Sequence, residues 1–251
     1  MSITEATLSP IVELRQYTLH PGRRDALIEL FDHALIETQE SVGMQVIGQF
    51  RDVDDAHRFV WLRGFADMTT RADALQAFYG GPVWKANREA ANATMIDSDN
   101  VLLLRPQRPG SGFSADLGPR PRRDATASGP GLVTATIYSL DAPAGGAMVA
   151  YFDRTLVPAL TGSGATILGI FVTEPSPNTF PALPIRQNES VFVWIAGFAD
   201  ATAAGFELRD GDAPGVNSSP QRLRLIPTAR SRLTGRSRGC PAIPASQRRH
   251  A

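Results

Sequence analysis

The stretch Phe59-Val60-Trp61-Leu62-Arg63-Gly64-Phe65-Ala66-Asp67 returns later in the chain as Phe192-Val193-Trp194-Ile195-Ala196-Gly197-Phe198-Ala199-Asp200, identical at seven of nine positions. The chain has three tryptophans and two fall in register here, so an internal repeat explains the match better than composition does. The nonamer reads as a strand, with Phe59, Trp61 and Phe65 alternating with Val60, Leu62 and Gly64. Asp67 stands where the N-cap of a following helix belongs.

Working back from it, Ile11 to Leu19 alternates Val12, Leu14 and Gln16 with Glu13, Arg15 and Tyr17, a strand ended by the turn His20-Pro21-Gly22. Arg23 to Glu40 places Leu27, Leu30, Phe31, Ala34 and Leu35 at helical spacing, and Met44 to Phe50 is a second strand. After the nonamer come a helix from Asp67 through Tyr79, a short helix from Val83 to Ala93 and a closing strand from Val101 to Arg105. Strand–helix–strand–strand–helix–strand is the ferredoxin-like order.

The second copy follows at a constant offset of 121: Tyr17 matches Tyr138, Phe31-Asp32 matches Phe152-Asp153, and Gly48 and Phe50 match Gly169 and Phe171. The offset is 133 at the nonamer, because the proline-rich excursion within Glu174 to Asn188 adds twelve residues relative to the first copy, and it is 121 again at Pro106 and Pro227. The organisation expected is an N-terminal tail (1–10), a first repeat (11–106), a Pro, Gly, Ser and Arg-rich linker (107–130), a second repeat (131–227) and a disordered Arg-rich tail (228–251). The fold class is α+β, with two ferredoxin-like repeats forming one intrachain, pseudo-dimeric α+β barrel.

Net charge is zero over 251 residues. Six of the 25 basic residues are arginines from Arg230 onward, which leaves 19 basic against 25 acidic in the rest, so no nucleic-acid surface is expected. The single cysteine, Cys240, excludes an intrachain disulfide, and neither an export signal nor a membrane span is read, so a cytoplasmic protein is expected. The four histidines supply no paired heme ligands, and the acidic turn Asp52 to Asp55 lacks the glycine and terminal glutamate of a calcium loop. No cofactor and no metal are expected.

The candidate residues come from comparing the copies. Val12, Leu14 and Gln16 correspond to the apolar Val133, Ala135 and Ile137, a face suited to packing under helices. Glu13, Arg15 and Tyr17 correspond to Thr134, Thr136 and Tyr138. These second faces are expected to oppose each other between the two sheets and enclose a cavity, with Glu13, Arg15, Tyr17, Trp61, Arg63, Tyr138 and Trp194 as its ligand-binding residues and no catalytic residue assigned. Buried ions beside Tyr and Trp suit a small aromatic or acyl molecule, which is the partner this reading allows. The alternatives are a cofactor-independent oxygenase or isomerase, with Arg15 on an oxyanion and Glu13 or His20 moving a proton, and a non-catalytic interaction module. The chain is expected to be a monomeric pseudo-dimer or a homo-oligomer.

Val12-Glu13-Leu14-Arg15-Gln16-Tyr17-Thr18-Leu19-His20-Pro21-Gly22, the Trp-x-x-Gly-Phe strand and Gly81-Pro82-Val83-Trp84-Lys85-Ala86-Asn87-Arg88 together resemble the NIPSNAP family, within the dimeric α+β barrels. Asn178-Thr179-Phe180-Pro181 and Leu183-Pro184-Ile185-Arg186 are similar to tandem members. The resemblance implies paired ferredoxin-like units and a cavity, and it implies no particular reaction. Thr134 and Thr136 depart from it at the Glu and Arg positions.

Overall fold

The computed structural model describes residues 8–200 and 213–243. In the first unit, strand β1 (Ile11–Leu19) turns at Gly22, whose φ of 74° only glycine adopts freely, into helix α1 (Arg24–Leu30). A π-helical turn (Phe31–Leu35) joins α1 to α2 (Ile36–Glu40). Strands β2 (Gln45–Asp52) and β3 (Arg58–Phe65) form a hairpin, followed by α3 (Met68–Gly80), α4 (Pro82–Asn92) and β4 (Met95–Pro106). Asp67 caps α3 as its position foretells: its carboxylate accepts from the Thr70 amide at 2.7 Å while the Thr70 hydroxyl accepts from the Asp67 amide at 3.0 Å. Pro82 starts α4, where a missing N–H costs nothing.

The second unit repeats this plan with β5 (Leu132–Leu140), α5 (Gly146–Tyr151), a π-helical turn at Phe152–Leu156, α6 (Val157–Gly162), β6 (Thr166–Thr173), β7 (Ser190–Phe198) and β8 (Gln221–Pro227). The equivalent placing of the two π turns makes them a property of the repeat. The eight strands close in the order β1-β3-β2-β8-β5-β7-β6-β4. Two short reciprocal ladders join the units: β2 pairs β8 (Phe50 to Asp52 with Leu225 to Pro227) and β4 pairs β6 (Leu104 to Pro106 with Phe171 to Thr173). Each unit thereby covers the open sheet edge of the other.

The face assignment expected from the repeats is reversed. Val12, Leu14, Val60, Leu62, Val133, Ala135, Ile137, Val193 and Ile195 belong to one apolar cluster that fills the barrel interior. Glu13, Arg15 and Tyr17 point outward beneath the first unit's helices, and Tyr138 and Trp194 lie beneath those of the second. Among the described residues this cluster occupies the space between the two sheets expected to hold the cavity. An eight-stranded barrel is just wide enough for its own side chains, so apolar residues, Phe50, Phe113 and Phe171 among them, fill it, and the charged side chains of β1 and β3 lie in the helix–sheet layer. Both faces of β1 are buried, so a polar-versus-apolar comparison could not say which was inner.

Residues 107–130 and 228–243 also differ from the expected linker and disordered tail. Gln107 donates its amide to the Ile170 carbonyl at 3.0 Å, and Thr228, 121 residues later, donates to the Gln49 carbonyl at 2.9 Å. Past these points each segment inserts a side chain into the barrel core, Phe113 and Leu117 from one and Leu233 from the other. Phe113 packs on Phe171 with ring centroids 4.9 Å apart, beside Gly169, where a Cβ would lie 2.4 Å from the Phe171 ring. Leu233 takes the same place beside Gly48 and Phe50. Cys240 and Ile243 are buried against the second unit's helix layer. The repeat is therefore longer at its end than its strands suggest, and isolated apolar residues fasten segments whose composition reads as loop. Residues 244–251 of the expected tail lie outside the described residues.

Candidate functional site

β1 and β3 build the site by direct cross-strand pairing: Glu13 sits opposite Arg63, Arg15 opposite Trp61, and Tyr17 opposite Phe59. Five of the seven residues expected at a ligand site, Glu13, Arg15, Tyr17, Trp61 and Arg63, thus share one patch. Tyr138 and Trp194 belong to the other helix layer and do not join it.

Glu13 receives three arginines. Arg15 Nη1 donates at 2.6 Å and Arg63 Nε at 2.7 Å to one carboxylate oxygen, and Arg71 Nε donates at 2.7 Å to the other. All four side chains are fully buried. Burial by itself raises the Glu13 carboxyl, but the charges of Arg63, Arg15 and Arg71, with the Arg15 hydrogen bond, overcome it and hold the group well below the usual carboxylate range. Burial raises the Tyr17 phenol above its ordinary value in spite of Arg15, so it keeps its proton at neutral pH. Its oxygen accepts from Arg15 Nε at 3.0 Å. The Trp61 indole lies between two guanidinium groups, with Arg63 at 5.1 Å and Arg15 at 5.6 Å from the ring.

The cluster carries one negative and three positive charges, and its spare capacity is all donor. Arg15 Nη2, Arg71 Nη2 and Trp61 Nε1 are buried with no acceptor among the described residues. A void of about 30 Å³ abuts this group, lined by Tyr17, Gln39, Trp61, Phe78, Tyr79 and Trp84 among others. A far larger concavity, about 630 Å³, lies on the outer side of β4, β6 and β7. We place the site at the smaller one, because it is lined by Trp61, whose Nε1 is one of the unsatisfied donors, and by Tyr17 and Gln39, which bond to Arg15 and Arg63. His20, His33 and His57 are all exposed and away from it.

Sequence reasoning missed Arg71, Asn178 and Thr179. Arg71 occupies the first place of an otherwise apolar stripe on α3 completed by Ala74, Leu75 and Phe78, a spacing that points an arginine into the core. Its Nη1 donates at 3.1 Å to both Asn178 Oδ1 and Thr179 Oγ1, which come from the proline-rich excursion of the second unit. Nothing in the local sequence ties those two residues to α3.

The chemistry open to this arrangement is anion recognition. Glu13 is a poor proton acceptor while three arginines hold it ionised, and among the described residues no other carboxylate or imidazole bonds to the group. In the second unit the equivalent cross-strand pairs are Thr134 with Ala196 and Thr136 with Trp194, and the described residues packed around them form an apolar cluster.

Among known proteins, the NIPSNAP family model matches residues 12–108. No curated protein matches the chain. A NIPSNAP-like domain protein of Burkholderia xenovorans is 26% identical over 39% of this chain and 84% of its own length, with a TM-score of 0.36. A NIPSNAP family protein of Agrobacterium tumefaciens is 21% identical over 39% of this chain and 92% of its own, with a TM-score of 0.36. A Fusobacterium nucleatum protein provisionally named a monooxygenase is 8% identical, spans 92% of this chain and 98% of its own, and has a TM-score of 0.51. That full-length likeness is one of fold alone. No helix among the described residues is long and apolar enough to cross a membrane. The first unit, residues 12–108, is thus the part of the chain that matches the NIPSNAP family model, and the chain joins it to a second unit of the same plan in one closed α+β barrel.

Proposed function

We propose that the first unit binds a small organic anion, an aromatic or acyl carboxylate, between β1–β3 and helices α3 and α4. The observation that carries this is the excess of buried donors over acceptors around Glu13. Burying charge is costly, and among the described residues the equivalent strand positions of the second unit, Thr134, Thr136 and Ala196, do without it, so the cluster is better accounted for by what it holds than by the fold. A carboxylate would take the spare N–H groups of Arg15, Arg71 and Trp61 and offset the surplus positive charge. Its apolar body would lie against Tyr79 and Trp84.

Binding fits better than turnover by an oxygenase or isomerase, since Glu13 is a weak base and His20 is exposed in its turn. It also fits better than a protein-interaction module, because Val53 and Ile96 are the only large apolar side chains exposed among the described residues.

A thermal-shift series tests the reading with benzoate, phenylacetate and hexanoate against benzamide and hexanamide, which have the same shape without the charge. A carboxylate at a hundred times its Kd should stabilise by about 2.7 kcal/mol, a rise in Tm of roughly 5–10 °C for a chain of this size. Trp61→Phe, which removes one donor and no charge, should reduce the rise. Equal shifts for acids and amides, or none for either, overturn the reading.

A further inference from the structure

The excursion Glu174 to Asn188 belongs to the second unit by sequence and to the first by contact. Its ends are fixed to β4: the Glu174 amide donates to the Leu103 carbonyl at 2.9 Å and the Arg186 amide to the Val101 carbonyl at 2.8 Å. Between them the chain holds its own shape, with Asn178 Nδ2 donating to the Leu183 carbonyl at 3.0 Å and the Phe180 amide to Asn178 Oδ1 at 3.1 Å. It leans on α3 and α4. Phe180 stacks on Tyr79, centroids 5.7 Å apart and planes at 19°, while Thr179 Oγ1 donates to the Met68 carbonyl at 3.2 Å. Leu183 and Ile185 pack on the edge of the first unit's helix layer.

Two volumes give this arrangement a purpose. The void at the donor cluster, about 30 Å³, has room for a water molecule or two, whereas a site for a small organic molecule needs roughly 300 Å³ or more. The groove of about 630 Å³ lies on the other side of the same excursion, between it and Pro143, Ala144, Val172 and Val191. The segment is thus packed against one wall with open space at the other.

We propose that the excursion is a strap over the first unit's pocket, which swings toward the groove to admit a ligand, and that Asn178 and Thr179 are positioning residues that hold Arg71 when it is shut. The inference rests on the anion-binding reading for the identity of what is admitted. Its geometry stands apart from that reading. With the strap down, Arg71 Nη1 is engaged by Asn178 and Thr179 and Nε by Glu13, which leaves Nη2 for the ligand. Arg71 therefore couples closure to the shape of the site. The insertion present only in the second copy and the charges present only in the first become one device.

The test uses the full chain with Trp84→Phe and Trp194→Phe as the common background of every variant compared, so that Trp61, 1% exposed, is the sole tryptophan and is excited selectively at the red edge. Phe180→Ala and the pair Asn178→Ala/Thr179→Val release the strap, and Phe180→Tyr keeps the stacked ring as a control. In ligand-free protein the releasing variants should raise acrylamide quenching of Trp61. In stopped flow with sodium benzoate they should speed association by roughly 2- to 10-fold, the factor lost with an aromatic pair. Phe180→Tyr should restore both values. Quenching and association rates unchanged in the releasing variants, with Tm alone lowered, would show a brace and overturn the proposal. Raised quenching without any benzoate association in any variant would uphold the strap and overturn the anion reading.

Discussion

The two helix–sheet layers of this chain are built on the same strands, the same π-helical turn and the same Tyr and Trp positions, yet one is ionic and the other apolar. In the first, Glu13, Arg15 and Arg63 meet across β1 and β3. In the second, Thr134, Thr136 and Ala196 take their places with the register unchanged. Among its described residues the second layer packs under its helices with an apolar cluster and no buried ion pair at the equivalent strand positions. It serves as an internal control: whatever the first layer does beyond folding is the difference between them.

The largest expected effect breaks that comparison at its centre. Glu13→Gln leaves three buried guanidinium groups without their counter-ion and should destabilise by about 3–5 kcal/mol, read as a shift in urea midpoint with unchanged m. Thr134→Val at the equivalent place removes a buried hydroxyl that has no partner, so it should be neutral or slightly stabilising. Comparable losses from both would mean that the ionic cluster is no more than ordinary packing.

A milder, opposite effect sharpens it. Replacing Glu13 by Leu and Arg15, Arg63 and Arg71 by Met converts the first layer to the chemistry of the second at similar volume. Buried ion clusters exchanged in this way commonly give about 1–4 kcal/mol more stability. The variant should melt higher than wild type and show no carboxylate-dependent shift. If it melts lower, the cluster holds the fold together and the control fails.

The architecture was legible because it was written twice: the repeated nonamer, the 121-residue offset and the Asp67 cap all carried over to the structure. The grouping of Glu13, Arg15, Trp61 and Arg63 was legible too, since alternation puts them on one face. Which face was inner was not, because both sides of β1 and β3 are buried and burial cannot be told from polarity. Arg15 looked like a cavity lining, while Ala135 and Ile137 have the sizes a narrow barrel interior accepts. The core segments after β4 and β8 were hidden for a different reason. Phe113 and Leu233 are single apolar residues among Pro, Gly, Ser and Arg, with no period to detect. Their only signal was that the 121-residue offset runs past Pro106 and Pro227 to Gln107 and Thr228. The link from Arg71 to Asn178 joins residues 107 apart and left no local trace.

The smallest expected effect lies where the copies look most alike. Asp32 and Asp153 hold the same position in the two π-helical turns, and each has an arginine close by from the segment after the other unit's last strand. Arg108 grips the Asp153 carboxylate with two donors, at 2.7 and 2.9 Å. Arg230 instead donates to the Asp32 backbone carbonyl and to Glu37, leaving Asp32 Oδ1 buried without a partner. Burial therefore pushes the Asp32 carboxyl up to about 6, from an ordinary 3.8, in spite of Arg230 and His33. A raised carboxyl favours the folded state while protonated, so this contribution is whole below about pH 3.8 and is lost as the pH climbs through 6. Asp32→Asn should therefore gain stability at pH 7, by at most about 1 kcal/mol at a site this open to solvent, and the gain should vanish by pH 4. Asp153→Asn should lose a similar amount at pH 7 by weakening a charged pair. Urea denaturation of both variants at pH 4 and pH 7 checks the opposite signs. If both lose stability at pH 7, Asp32 is ionised and satisfied like its counterpart, and Arg230 must serve it as Arg108 serves Asp153.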